Sequence, residues 1–472
     1  MPSGCVVAPA TVVPAMTVKL DIAALLDERP LGPLQARVLA FCFTILLIDG
    51  FDTQAIGYVA PALIHDMGIA SATLGSLFTA GIVGMAIGSL GFGLAADRIG
   101  RRAALIGSLV VFGVFTLGKS LAQSFELLVG LQFLAGLGLG GAYPNAVALM
   151  AEYAPRRIRN TLVVVGACGY LLGSSVGGFI ATWLIPLHGW QAVFQLGGVL
   201  PLVLSLVLAA ALPDSLRFLA SRNGRSAEAR AILRRIAPGL DLAADAVLIT
   251  PEHRPGGFPV AALFREGRAG MTLLLWLAHF MNLAVAFFTF SWLPTLFRSA
   301  GVSMQQSLLA ATALPLGAVL GAIFWGWMID RFRPPLMLAL AALWYAIWLA
   351  PVGAVTHSVP LLTLLLFVAG IGSGSQTAVN AYTGLLYPTL IRSTGIGWAI
   401  GVGRIGSILG PAMGAAMIAG QWSLPAMFHA AALPLLVAAA ALYAIGFSRP
   451  LRGTEGRAPP AVPGPAAHGG AG

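Results

Sequence analysis

The chain has 472 residues, 58% of them hydrophobic and only 9% charged, with 27 Lys+Arg against 17 Asp+Glu. A soluble domain carries about 25% charged residues, so the composition excludes a water-soluble globular fold and indicates a polytopic membrane protein. The net charge of +10 suggests nucleic-acid binding only until the charges are placed along the chain.

Residues 1–36 read as an N-terminal tail. Its first fifteen residues have no basic stretch followed by an apolar core, so no cleavable signal is expected there, and Met16 is an alternative start. Helix 1 is an apolar run of roughly 23 residues, about Val38–Ala60, long enough to cross a bilayer. Pro61 is expected to end it. Inside it lies Asp49-Gly50-Phe51-Asp52-Thr53. At ~1.5 Å rise per residue, Asp49 would sit about 16 Å deep, and Asp52, three residues on, would project from the same face. Two carboxylates at that depth are costly unless they meet water, a cation or a transported proton. The plainer alternative is that one of them only hydrogen-bonds a neighbouring helix.

Helix 2 spans about Thr73–Ala96 and is rich in glycine (Gly81, Gly84, Gly88, Gly91, Gly93), which permits close helix packing. It ends in the charged turn Asp97-Arg98-Ile99-Gly100-Arg101-Arg102. Helix 3 follows at about Ala103–Ala122, helix 4 at Leu127–Ala151, helix 5 at Thr161–Leu184 and helix 6 at Ala192–Leu212. Residues 213–269 break the pattern with nine arginines, several acids, Pro and Gly; they read as a soluble central loop carrying a short amphipathic helix at Ala227–Ile236. Helices 7 to 12 are expected at about Met271–Phe297, Ser307–Ile329, Leu336–Val355, Leu361–Leu386, Thr394–Ala419 and Pro425–Phe447. The domain plan is thus two six-helix bundles, 37–212 and 270–448, joined by the 213–269 loop, with a Pro/Gly/Ala-rich tail at 449–472 expected to be disordered. The three cysteines have no metal spacing, and no disulfide or metal site is expected.

The cations set the orientation. Of the 27, 24 fall in the tails, the central loop and the links after helices 2, 4, 8 and 10; the opposite side has only Lys119 and Arg298, and Arg404 lies inside helix 11. Both termini and the central loop are therefore expected in the cytoplasm, which requires an even helix count. The +10 becomes a topology signal rather than a nucleic-acid patch. The halves also repeat: Gly93 to Asp97-Arg98 matches Gly326 to Asp330-Arg331, and Gly136-x-Gly138-x-Gly140 matches Gly370-x-Gly372-x-Gly374, at offsets of 233 and 234 residues. Duplicated bundles are the architecture of alternating-access transporters.

The Gly-x-x-x-Asp-Arg-x-Gly-Arg-Arg turn from Gly93 to Arg102, with its degenerate copy at Gly326–Arg331, resembles the loop signature of the major facilitator superfamily over about residues 20–450. Asp49-Gly50-Phe51-Asp52-Thr53 resembles the first-helix signature of the aromatic acid:proton symporters. Supporting runs are residues 136–145, Leu212–Leu219, Ser291–Pro294 and Gly397–Gly406. The resemblance implies an all-α fold of twelve transmembrane helices. It also implies a monomeric carrier in a bacterial inner membrane that takes up benzoate-type or hydroxybenzoate-type acids, with the proton as coupling ion and no cofactor. One position departs from that family: its members carry an arginine in helix 4 where this chain has Gln132, before Phe133-Leu134-Ala135-Gly136. A neutral amide cannot hold a carboxylate ionised as a guanidinium does, so coupling would work through another cation or be altered.

Asp49 and Asp52 are the expected proton relay, since a carboxyl in a low-dielectric site can load a proton near neutral pH. Arg404 is expected either to pair bidentately with a substrate carboxylate or to form a structural ion pair with Asp49 or Asp52. His279, Asn282 and Trp292 of helix 7, Gln132, Tyr143 and Asn145 of helix 4, and Asn380 and Tyr382 of helix 10 are candidate substrate contacts; for each, core packing or a bond within the bundle is the plainer reading. Gly93, Asp97, Arg98, Gly100, Arg101 and Arg102, with Asp330 and Arg331, are expected to hold one conformational state through charge pairs and helix-end contacts. An exporter, or a symporter for another solute such as a nicotinate-like acid or a sugar, fits the same architecture. An enzyme would need a metal triad, nucleophile elbow or phosphate loop, and the sequence has none.

Overall fold

The computed structural model describes residues 19–21, 27, 30–221, 226–236, 247–249, 259–388 and 391–447. The leader with Met16 and the 449–472 tail lie outside these. Among the described residues, twelve helices are long and apolar enough to span a membrane: α1 Pro33–Met67, α2 Ser71–Ile99, α3 Arg101–Lys119, α4 Phe125–Tyr153, α5 Arg157–His188, α6 Gln191–Ala211, α7 Ala269–Ser299, α8 Met304–Arg331, α9 Pro334–Ala354, α10 Val359–Leu386, α11 Thr394–Ala419 and α12 Leu424–Ile445. Each coincides with an expected helix. The main difference is α1, which runs through Pro61 to Met67. Membrane helices tolerate an internal proline because neighbouring groups re-satisfy the freed carbonyl. Asp49 is thus sixteen residues into a 35-residue helix, about 24 Å from its start. α10 is divided by a turn at Gly374 between Ser373 and Ser375.

The chain forms two compact units, one of residues 1–254 with Phe290–Leu316, the other of Pro255–Thr289 with residues 317–472. This differs from the expected division at the central loop, because the end of α7 and the start of α8 group with the first unit. In the first unit, α1 packs against α4, α5 and α6, α2 against α4, and α3 against α4 and α6. The central-loop helix Ser226–Ile236 buries Ala229, Ile232, Leu233 and Ile236 in this unit's core. A short parallel strand pair, β1 (Lys19–Asp21) with β2 (Val247–Ile249), ties the N-terminal tail to the same loop, a feature the hydrophobic pattern does not announce. In the second unit, α9 packs against α10 and α12.

The internal repeat is present in the packing itself. In the first unit α2 and α4 touch backbone to backbone: a Cβ at Gly84 would lie 2.2 Å from the Phe133 carbonyl oxygen, and one at Gly140 2.1 Å from that of Met85. In the second unit Gly317 of α8 meets Phe367 O at 2.0 Å, and Gly374 of α10 meets Ala318 O at 2.1 Å. The pairs Gly84/Gly317 and Gly140/Gly374 are 233 and 234 residues apart, so the repeated glycines mark repeated helix crossings.

Candidate functional site

The α1 carboxylates are held by close backbone contact. A Cβ on Gly50 would lie 1.9 Å from the Tyr170 carbonyl oxygen of α5, and one on Gly173 would lie 1.9 Å from that of Leu47. Ser174 of α5 donates to the Gly50 carbonyl at 3.1 Å, and the Tyr58 hydroxyl donates to the Ser174 carbonyl at 2.9 Å. Asp49 and Asp52 are each 1% exposed.

Asp52 faces α3. The Thr116 hydroxyl donates to Asp52 Oδ2 at 3.4 Å, and Lys119 Nζ lies 3.7 Å from the same oxygen. Thr116 and Lys119 are one helical turn apart and so share a face. Lys119 is wholly buried. Its ammonium also donates to Gln132 Oε1 of α4 at 2.9 Å and sits 4.6 Å from the centre of the Phe194 ring of α6. This corrects the sequence reading, which put Lys119 on the outer side and made Arg404 the sole cation within the membrane. A lysine ending a helix reads as one that snorkels to water; here the cation turns inward, where Gln132, Phe194 and Asp52 meet it. It also gives Gln132 a partner. Gln132 fits because Gly81 opposes it, a Cβ there falling 2.5 Å from Gln132 Nε2.

At the α2–α3 turn the motif arginines find acids that sequence reasoning did not single out. Arg101 Nε donates to Glu152 Oε1 at 2.7 Å and Arg101 Nη1 to Asn145 Oδ1 at 3.3 Å. The Ser215 hydroxyl donates to the other Glu152 oxygen, and the Arg102 amide donates to Asp214 Oδ1 at 3.4 Å, an acid placed at the start of α3. Gly100 has φ +98°, and a Cβ on it would lie 2.6 Å from Asp214 Oδ2, so glycine is required twice over. Asp97 and Arg98 are exposed. Asn145, a substrate candidate by sequence, belongs to this network, bonding also to the Gly141 carbonyl at 2.9 Å. The second copy, Asp330 and Arg331, is exposed, with Arg331 resting over the Trp327 ring at 5.6 Å. Arg101→Gln and Glu152→Gln are expected each to lower thermal stability, and to do so non-additively. A double-mutant cycle should return about 1 kcal/mol of coupling; additive losses would show that the pair is incidental.

In the second unit three amides and an imidazole form a chain. His279 Nδ1 lies 3.0 Å from the Leu275 carbonyl and Nε2 3.2 Å from Asn380 Oδ1; Gln376 joins Asn380 at 3.1 Å and Asn282 at 2.5 Å. The Leu275 and Asn380 oxygens can only accept, so a ring nitrogen that bonds either of them does so as a donor, and Asn380 Oδ1 also accepts from Gln376 Nε2. The expected contacts His279, Asn282 and Asn380 are thus brought together, and Gln376 joins them unforeseen. Tyr382 is 4% exposed, its hydroxyl without a hydrogen bond among the described residues. Arg404 is half-buried, with no ion pair to an acid among the described residues. Asp52 pairs instead with Lys119. In the first unit, Trp292 is fully buried edge-on to Phe78 at 5.1 Å, and Tyr143 sits edge-on to Tyr170 at 5.8 Å. Among the described residues, no three His, Cys, Asp or Glu side chains converge as metal ligands.

Among the described residues, twelve membrane-length helices and repeated helix crossings define a polytopic membrane protein built from two related halves. The profile of the Major Facilitator Superfamily matches residues 42–263 and 275–468, and the chain belongs to that family. It is 40% identical over 431 residues to the 4-hydroxybenzoate transporter PcaK of Pseudomonas aeruginosa, covering 90% of this chain and 95% of that one. It is 37% identical over 442 residues to the gallate transporter of Pseudomonas putida, covering 93% and 98%. Among solved structures, a bacterial homologue of the lysosomal transporter Spinster superposes with a TM-score of 0.68 over 89% of this chain and 98% of that one at 18% identity, a likeness of fold alone. The protein is a multi-pass membrane transporter and not an enzyme.

Proposed function

We propose that the protein carries out proton-coupled uptake of an aromatic carboxylic acid of the benzoate or hydroxybenzoate type by alternating access, as a monomer in a bacterial inner membrane with both termini cytoplasmic. The observation that carries this reading is the pair of α1 carboxylates, each 1% exposed, in a chain 40% identical to a 4-hydroxybenzoate transporter. Carboxylates buried at membrane depth serve ion or proton movement more often than packing. Asp49 and Asp52 act as the proton-carrying groups. Arg404 supplies a standing positive charge to the acid, and the His279–Asn380–Gln376–Asn282 chain meets its polar substituents. Uptake into proteoliposomes of labelled benzoate, hydroxybenzoates, protocatechuate, phenylacetate, nicotinate and a hexose tests the reading. Uncoupler-sensitive accumulation of a hydroxybenzoate is expected. Accumulation of nicotinate or the hexose alone, or efflux only, would overturn it.

A further inference from the structure

The first unit seals a complete ion pair away from water, and its geometry separates the roles of the two carboxylate oxygens. Asp52 Oδ2 faces both donors, Thr116 and Lys119. Oδ1 has no hydrogen-bond partner among the described residues and lies over Gly197 of α6, where a Cβ would be 3.0 Å away. A proton can therefore load on Oδ1 without displacing either donor. The ammonium is held independently of the carboxylate: its 2.9 Å bond goes to Gln132 and another side to the Phe194 ring, while Asp52 stands at 3.7 Å, longer than the ~2.7–2.9 Å of a charge-assisted hydrogen bond. From the elements packed around Asp52, α4 contributes Gln132, α6 contributes Phe194 and Gly197, and α3 contributes Thr116 with the charged Lys119; Asp49 lies one turn away on α1 itself.

Building on the aromatic-acid reading above, we infer that Lys119 is a proton-gated counter-charge for the substrate: neutralising Asp52 leaves the ammonium in place, held by Gln132 and Phe194 but uncompensated, and the anionic carboxylate of the substrate supplies the missing charge. With Asp52 ionised the pair is neutral and offers the anion nothing. With Asp52 protonated the same cluster of side chains carries one net positive charge in low dielectric, where charge is felt strongly. One proton and one carboxylate then load together, and by linkage each favours the other. Arg404 makes no ion pair with an acid among the described residues, so no paired carboxylate gates it. Lys119 is a positioning residue in this scheme, acting through charge.

The test is 4-hydroxybenzoate binding to purified, reconstituted protein by calorimetry, above the range where the ligand itself protonates, from about pH 5.5 to 8.5. For the wild type, affinity should rise as pH falls, by up to about tenfold per unit, because one proton binds with each anion. Asp52→Asn mimics the protonated state and should bind tightly with no pH slope. Lys119→Gln should lose the slope and at least tenfold in low-pH affinity. Arg404→Gln should bind more weakly at all pH values with the slope kept. The double variant Asp52→Asn/Lys119→Gln removes both charges, which a buried site tolerates better than removing one, and should fold yet bind as weakly as Lys119→Gln. Lys119→Gln with wild-type affinity and slope, or a double variant binding as tightly as Asp52→Asn, would overturn the inference alone. Wild-type protein that binds neither 4-hydroxybenzoate nor benzoate nor another hydroxybenzoate at any pH would overturn the aromatic-acid reading and this inference with it.

Discussion

Replacing Asp52 by asparagine is expected to abolish uphill accumulation of the substrate, taking the inside-to-outside ratio to one, while exchange of labelled for unlabelled substrate continues. The amide is the same size as the carboxyl and its oxygen can still accept from Thr116, now 3.4 Å from Asp52 Oδ2, so the packing of α1 against α3 and α6 is kept. Under the proposed coupling, what is lost is the group that gains and loses a proton as the carrier cycles, and with it the link to the gradient. The substitution also strands the Lys119 charge. Removing one partner of a buried ion pair typically costs about 3–5 kcal/mol, and the Gln132 and Phe194 contacts make the lower end the expectation here. Without substrate, the melting temperature should therefore fall by several degrees. With an aromatic acid present it should recover further than the wild type gains, because the anion now matches a charge that is otherwise unpaired. Accumulation that stays uncoupler-sensitive in Asp52→Asn would move the proton-carrying role to Asp49 alone.

Asp52 was legible in the sequence because a carboxylate inside a long apolar run has few plain explanations. Its partner was not. Lys119 lies at the end of an apolar segment, where period and composition cannot tell a lysine that reaches to water from one that turns inward. The decision rests on which residues of α4 and α6 face it, and that is tertiary information. The helices could be placed closely because membrane-length apolar runs are strong signals; α1 overran Pro61 because a membrane helix accepts a proline that a soluble one resists. The α2–α3 motif was recognised by its arginines, yet their acidic partners, Glu152 and Asp214, lie 51 and 112 residues away in sequence and belong to no motif spacing. His279, Asn282 and Asn380 were visible as polar residues in apolar helices, but Gln376, the link between two of them, looked like any other residue of a glycine-rich stretch.

Among the many glycines, sequence alone cannot say which are required, and here the expected outcomes are opposite. Gly50→Ala or Gly173→Ala should prevent assembly of the first bundle. Each new methyl would fall 1.9 Å from a backbone carbonyl oxygen, Tyr170 O in one case and Leu47 O in the other, and backbone cannot swing aside as a side-chain end can. The two contacts are reciprocal across the same α1–α5 crossing, so relieving one parts the helices at both. Overpacking a core usually costs about 1–3 kcal/mol; a clash this deep between backbones exceeds that range, and separation of α1 from α5 would also release the Ser174 bond to Gly50 that sits beside the carboxylates. The expected result is loss of monodisperse protein on size exclusion, with or without substrate. Gly93 and Gly326, the motif glycines, have nothing within 4 Å of a built Cβ. Gly93→Ala and Gly326→Ala should fold at wild-type yield or better, since alanine favours a helix interior over glycine by about 1 kcal/mol. If these stable variants nonetheless lose transport, the motif glycines serve a close helix approach that forms only in another state of the cycle. If they transport normally, the conformational role of the motif rests on Gly100, Arg101 and Arg102 with Glu152 and Asp214, where the structure places its contacts.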